Sequence, residues 1–393
     1  MQLVAMGAQD VYLTGNPQIT FFKVVYRRHT NFSKECIAQQ FTGSAALGSS
    51  VSCTLARNGD LVQEIYLKAT LACAVAADLD DFVLNDVTPL IKTVEVEIGG
   101  QKIDKHYSQW LDIYNELFET SHDYRTVMNT GNGTDVADKD TPASVTCYIP
   151  LRFWFNRNPG LALPLIALQY HEVKVNVTLG AATDLFGHVH ASAAVATSGE
   201  ACAATTGAGT KVGVALSSAD LLVNYLYLDT DERRRFAQVS HEYLIEQVQH
   251  TGTETAGTAI DMTFNHPVKA LFWTGTDWTK TKLQLNGHDR AAEQPHDYYH
   301  LLQPYECGLG HSGKSLNATT RAWDYVASGG AVGMYSFCLK PAEHQPSGTC
   351  NFSRIDNARL NMGAGAAAPV WLFAMNYNVL RIMSGMGGLA YSN

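Results

Sequence analysis

Apolar and polar residues alternate along most of the chain. In TVEVEIGG (93–100), Val94, Val96 and Ile98 fall on one side and Thr93, Glu95 and Glu97 on the other. This is the two-residue period of a half-buried strand, ending at Gly99-Gly100, where a tight turn needs positive φ. The same period predicts strands over 146–155, 168–179, 211–216, 221–228, 242–250, 260–274, 281–285, 334–339, 351–362 and 370–382. Two strand-like runs within 53–71, separated by Asn58-Gly59, predict a hairpin. The pattern is that of a β-rich protein.

A few stretches follow the helical period instead. In QKIDKHYSQWLDIYNELFE (101–119), Ile103, Tyr107, Trp110, Leu111, Tyr114, Leu117 and Phe118 recur at spacings of three and four. That predicts a helix whose single apolar stripe is a packing surface. A short helix is expected in DTDERRRFAQ (229–238), with Asp229 as cap and Glu232 three residues on; its arginines make either a solvated face or an interface patch. Asn16 and Pro17 read as the cap and first residue of a helix over 17–28, with Ile19, Phe22 and Tyr26 on one face and Phe21 and Val25 beside them.

A weak internal repeat organises the whole. VEVEIGGQKIDKHYSQW (94–110) is echoed by KLQLNGHDRAAEQPHDYY (282–299), which aligns Gly100 with Gly287. Residues 152–177 are echoed by 335–362, aligning Gly160 with Gly348, and LLVNYLYLD (221–229) resembles FAMNYNVLRI (373–382). Two similar all-β domains in tandem follow, divided as an N-terminal segment (1–30), a first domain (31–228), a linker (229–240) and a second domain (241–393). The Ala/Gly/Thr-rich stretch 180–210 lacks the large apolar residues of a core and is expected to be a surface loop.

Composition narrows the function classes. The 393 residues carry a formal net charge of -9, with 17% charged and 46% hydrophobic residues, a sparse charge that leaves neutral surface for contacts with copies or partners. Basic character is local: in residues 1–35, Lys23, Arg27, Arg28 and Lys34 outnumber Asp10 and Glu35. An acidic chain with one basic patch argues against direct nucleic-acid binding. There is no run of about 20 apolar residues to span a membrane. The start MQLVAMGAQD lacks the features of a secretory signal, so cytosolic synthesis is expected. Eight scattered cysteines without a C-x-x-C pair point to reduced thiols rather than zinc. Without a secretory route, the N-x-[ST] triplets at Asn31, Asn132, Asn176, Asn317 and Asn351 are expected to be chance matches.

Candidate chemistry does not hold together. His188-Val189-His190 begins like a β-barrel metal motif, but the carboxylate that should follow is replaced by Ser192, Ala193 and Ala194. HEYLI (241–245) has Ile245 where a zinc-protease helix needs its second histidine. His296 and His300 are expected to be a surface pair, and SGMGG (384–388), without the Lys of a phosphate loop, a flexible tail. No catalytic, cofactor-binding or metal-binding residue is predicted, no cofactor is expected, and the chain is not expected to be an enzyme.

GAQDVYLTGNPQITFFKVVYRRHTNF (7–32), RNGDL (57–61), VEIGGQKIDKHY (96–107), NPGLALPLIALQYHEVK (158–174), YLDTDERRRFAQ (227–238), HEYLIEQVQ (241–249), QPSGTCNFSRIDNA (345–358) and NYNVLRIMSGMGGLAYSN (376–393) closely resemble segments of the major capsid proteins of large icosahedral DNA viruses, nearest to the phycodnavirus and chlorella-virus type. The resemblance implies a double jelly roll, two eight-stranded antiparallel barrels in tandem, three copies of which form a homotrimeric capsomer of pseudo-hexagonal outline. It further implies packing against neighbouring capsomers and minor capsid proteins, proximity to an internal viral membrane, and a place in the virion's outer shell after assembly in the host cytoplasm. In that family the N-terminal segment lies at the capsomer base. This makes Phe21, Phe22, Tyr26, Arg27 and Arg28 candidates for docking on the inner face, with a plain plug of the first barrel as the other reading. Asn317 is the best-placed loop candidate for a glycan. The chain is shorter in its second half than the family pattern, in regions that read as loops. A jelly-roll carbohydrate-binding or host-attachment protein is the alternative, and would show sugar affinity without forming sheets of trimers.

Overall fold

The computed structural model describes residues 7–9, 15–16, 29–75, 79–83, 87–119, 135–138, 143–181, 189–191, 212–254, 259–276, 280–290, 292–310, 314–316, 323–325, 332–362 and 367–391. In the first half, eight strands build a barrel: β1 (Phe32–Gln40), β2 (Ser50–Thr54), β3 (Leu61–Val75), β4 (Ile91–Ile98), β5 (Gln101–Tyr107), β6 (Ala143–Pro150), β7 (Val173–Leu179) and β8 (Val212–Leu228). One sheet runs β1-β8-β3-β6 and the other β2-β7-β4-β5, all pairs antiparallel. Alternation decides the inner faces. Val94, Val96 and Ile98 of β4 meet Val175 and Val177 of β7, and Ile65, Leu67, Leu221 and Val223 close the core from the opposite sheet.

The second half repeats this plan with β9 (His241–Glu254), β10 (Ala259–Asp261), β11 (Pro267–Thr276), β12 (Lys280–Leu285), β13 (His288–Asp289), β14 (Val332–Ser336), β15 (Ala358–Met362) and β16 (Ala367–Met383). Its sheets run β9-β16-β11-β14 and β10-β15-β12-β13. Raising every label of the first half by eight reproduces the second, so the chain is a double jelly roll. The Gly100–Gly287 correspondence falls in the same turn of each barrel. Gly99 and Gly100 (φ 58° and 84°) join β4 to β5, and Asn286 and Gly287 (φ 53° and 75°) join β12 to β13. Both are two-residue hairpins that require positive φ at each central position.

Several sequence expectations are corrected. The helix expected over 101–119 is a strand up to Tyr107, whose backbone is still extended (φ -117°, ψ 157°), followed by α1 (Ser108–Leu117). Ile103 and Tyr107 are four apart, a spacing that satisfies a two-residue period as well as a helical one, and the Gly99-Gly100 turn selects the strand. No hairpin spans 53–71, because β2 and β3 belong to different sheets. There Arg57 donates to the carbonyls of Leu168, Gln169 and His171, while a side chain at Gly59 would collide with Tyr225 Cβ at 2.7 Å. The strands expected at 211–216 and 221–228 are one strand, β8, that absorbs two register shifts. The run 146–155 stops at Pro150 and enters a helical turn, α2 (Trp154–Arg157). His300 is buried and bonded to the Val332 carbonyl, so it is not half of a surface pair.

Candidate assembly interfaces

The five N-terminal candidates, Phe21, Phe22, Tyr26, Arg27 and Arg28, and the glycan candidate Asn317 lie outside the described residues. So does the helix expected over 17–28. Asn16 is described and sits at φ 52°, whereas a helix N-cap takes extended backbone, so it does not cap in the expected way. The linker helix, α3 (Thr230–Gln238), forms as read: Asp229 accepts from the Thr230 amide at 2.8 Å. One of its arginines has a defined partner, since Arg233 Nε lies 2.9 Å from Oδ1 of the buried Asp60, whose Oδ2 accepts from the Leu228 amide.

The described residues show one large built interface, the seam between the barrels. α1 leaves the first barrel and lies on the outer face of the second. Its Leu111 joins the core of its own barrel, while Trp110, Ile113 and Leu117 pack with Val248, Ala270, Phe272, Met334, Phe373 and Met375. Trp110 meets Phe272 edge-on at 5.4 Å between ring centroids. Each fully buried side chain of this size contributes about 1.5–3 kcal/mol, so the helix face alone joins the barrels firmly.

Polar contacts fix the register across that seam. Asp104 Oδ1 on β5 accepts from the Val248 amide on β9 at 3.1 Å, and Gln247 Nε2 donates to the Ile103 carbonyl. The other Asp104 oxygen lies 2.9 Å from His106 Nε2; both side chains are fully buried, and the imidazole stacks on Phe153. Beside them Glu246 takes Arg157 at 2.7 Å from the first barrel and Lys269 at 2.6 Å from the second. The wholly buried Lys269 also donates to the Glu343 carbonyl, and its ammonium lies over the Tyr377 ring. His344 approaches the same carboxylate at 3.8 Å. Burial holds His344 below the ordinary imidazole value, Lys269 and Arg157 add to the effect, and Glu246 opposes it. His250, stacked on Trp371 and Phe373, is likewise lowered by burial. Burial pushes the Tyr114 phenol up against the opposing pull of the Arg157 and Arg152 guanidinium groups.

The C-terminal segment closes the seam. SGMGG is not a loose tail: Ser384 and Gly385 (φ 53° and 79°) turn β16 into β17 (Met386–Leu389). The hairpin sits on the first barrel, where Tyr170 donates its amide to Gly385, the His171 ring nitrogen lies 3.0 Å from the Gly387 carbonyl, and the Leu389 amide reaches Gln101 Oε1. Among the described residues, no three His, Cys, Asp or Glu side chains converge as a metal site.

Two barrels of one strand order are joined by an apolar helix face and a buried ion cluster. Residues 20–229 match the model for the major capsid protein N-terminus, and residues 232–279 and 274–388 match that for the large eukaryotic DNA virus major capsid protein. The chain belongs to this major capsid protein family. The major capsid protein of Pyramimonas orientalis virus is 52% identical over 418 residues, which cover 100% of this chain and 99% of that relative. The major capsid protein of Paramecium bursaria Chlorella virus 1 is 40% identical over 472 residues, with the same coverage. Among solved structures, the crystal structure of PBCV-1 VP54 fitted into a cryo-EM reconstruction of the virophage Sputnik matches with a TM-score of 0.75 and 36% identity, over 95% of this chain and 100% of that one.

For a major capsid protein the seam is the feature that sequence reasoning missed. One signal was present: Lys269 is the single charge in the otherwise apolar run VKALFW (268–273), and a lone cation in a strand core must find a buried anion. Which anion it finds depends on strand order, which alternation does not encode.

Proposed function

We propose that the chain is the structural subunit of an icosahedral viral capsid, assembling as homotrimeric capsomers of pseudo-hexagonal outline that tile the outer shell. The observation that carries this reading is the repetition of one strand order in two barrels that pack together across one seam. Three such pairs supply six comparable corners to a shell lattice, and a closed ring covers the strand edges and sparsely charged faces that a lone subunit exposes. The virion is its place of action, and its role is geometric rather than catalytic. The domain division at 31–228, 229–240 and 241–393 belongs to the same reading.

The basic, aromatic N-terminal segment then serves as an anchor at the capsomer base, with Phe21, Phe22, Tyr26, Arg27 and Arg28 docking on minor capsid proteins or acidic neighbours near an internal membrane. If the protein carries a glycan, Asn317 is its proposed position, and assembly takes place in the host cytoplasm. Light scattering after size exclusion is expected to give a trimer at micromolar concentration, and electron microscopy of concentrated protein hexagonal arrays; a monodisperse monomer overturns the reading. Deleting residues 1–28 is expected to leave circular dichroism unchanged while impairing shell incorporation, and loss of fold would place the segment in the barrel core instead.

A further inference from the structure

The loop that follows β14 closes over the buried ion cluster of the seam. β14 and the short strand Cys350–Asn351 both pair with β11, at 270–274 and at 267–268, and Lys269 lies between the two pairings. The intervening loop is tied at its neck: the Lys340 amide donates to the Ser347 hydroxyl at 3.0 Å, and the Ser336 hydroxyl donates to the Cys338 carbonyl at 2.7 Å. Two of its carbonyls are gripped from below. Glu343 accepts from the Lys269 ammonium at 2.9 Å, and His344 from the Tyr377 hydroxyl at 3.2 Å. Pro341 is buried while Ala342, Glu343, Gln345 and Pro346 are exposed, so the loop is a strap with solvent on its outer side. Cys338, at its root, is buried, and Gly348 passes so close that a Cβ there would meet the Cys338 Cα at 3.3 Å.

Beneath the strap one carboxylate serves two cations. Glu246 from β9 holds Arg157 from α2 at 2.7 Å and Lys269 from β11 at 2.6 Å, which leaves the cluster with an excess positive charge. His344 Nδ1 stands 3.8 Å from the same Glu246 oxygen that Lys269 takes. The other titratable groups do not offset that excess. Tyr377 of β16 and Tyr114 of α1 are phenols, the Cys338 thiol acts on the Tyr377 side, and Arg152 is paired with Glu119. On the strap itself, Glu343 and Lys340 pair with each other at 2.8 Å and are both exposed. A neutral imidazole suits this place. A protonated one is a third cation on one carboxylate, where burial removes the screening that water would supply.

We infer that residues 338–348 form an acid-released strap, in which protonation of His344 lifts the loop from the Glu246–Lys269–Arg157 cluster while both barrels stay folded. Release takes the Glu343 carbonyl away from Lys269 and lets water reach Glu246, which weakens its hold on Arg157 across the seam. The joint between the barrels thereby reads proton concentration. Because burial, Lys269 and Arg157 hold the His344 pKa below its ordinary value in the closed strap, closure is fully favoured above about pH 6.5 and is lost as pH falls through the closed-state value.

The test follows Cys338 in the full chain with a dipyridyl disulfide, a reagent that accepts thiols even in mild acid; a mixed disulfide forms and one pyridinethiol leaves. Labelling is measured by peptide mass spectrometry at about pH 7.5 and about pH 5. Exposed Cys36 serves as reference for the reagent, Cys53 and Cys147 in the first barrel's core report global unfolding, and near-UV circular dichroism reports the packing of both barrels. Cys338 labelling relative to Cys36 is expected to rise about tenfold or more in acid, since each unit by which closure lowers a pKa is a factor of ten in the opening equilibrium. Cys53 and Cys147 are expected to stay unlabelled. His344→Gln is expected to abolish the rise, and His344→Arg to label Cys338 already at the higher pH; should the arginine variant fail to fold, the glutamine variant alone decides. A rate independent of pH, a rise that persists in His344→Gln, or a rise matched at Cys53 and Cys147 overturns the strap.

Discussion

Leu117 and Tyr305 lie on the helical segments that fall at the same point of the two strand orders, between β5 and β6 and between β13 and β14, yet Leu117 is 1% exposed and Tyr305 81%. The first is covered because it packs against the second barrel, in the cluster that holds Trp110, Phe272 and Phe373.

The internal contact is open to direct measurement. Trp110→Ala removes the largest side chain of the seam and is expected to cost about 3–5 kcal/mol, the usual range for truncating a buried Trp. Denaturant melting is expected to show the midpoint falling, with the loss expressed as earlier separation of the two barrels.

Glu246 holds two cations, Arg157 and Lys269, from different barrels. Glu246→Ala leaves the fully buried Lys269 without its anion and is expected to destabilise the fold by about 3–5 kcal/mol. Adding Lys269→Met to that variant is expected to recover part of the loss in the same melting experiment, since an apolar side chain of similar length needs no partner.

Acid is expected to weaken the protein above the range where carboxylates titrate. His250 and His344 have folded-state pKa values below the ordinary 6.5, so the unfolded chain takes up their protons first as pH falls. Their contribution to stability is intact above about pH 6.5 and is lost as pH falls through the folded-state values. Thermal unfolding at about pH 7.5 and about pH 5 checks this, and His344→Gln or His250→Phe is expected to reduce the difference.

Gly99 and Gly287 separate two costs. Gly99→Ala would set a Cβ 2.4 Å from the His171 ring as well as holding alanine at φ 58°, whereas nothing lies within 4 Å of a Cβ at Gly287, where φ is 75°. The Gly287 variant is expected to lose only the backbone penalty, about 1–2 kcal/mol. The Gly99 variant is expected to lose more and to loosen the C-terminal hairpin that His171 holds, which amide exchange at Gly387 would report.

Much of the barrel was legible from alternation because a strand with one buried face must alternate: Val94, Val96 and Ile98 were read onto the buried side and lie there. Boundaries were weaker wherever two periods coincide, as at Ile103 and Tyr107. The matched segments LLVNYLYLD and FAMNYNVLRI do lie on β8 and β16, yet Tyr225 enters the first barrel's core while Tyr377 faces Lys269 at the seam. Register shifts along these strands change which side a given position faces, and no local pattern announces them.

Residue pattern and repeat were enough for the β-rich class, the tandem halves and the hairpins at Gly99-Gly100 and Asn286-Gly287, because pleat and turn geometry act over a few neighbouring residues. The joining of Arg157 to Glu246, of Asp104 to Val248, and of α1 to the second sheet came only with the folded chain. Those partners are 89, 144 and more than 130 positions apart, and long-range pairing is set by how whole sheets stack rather than by any local run of residues.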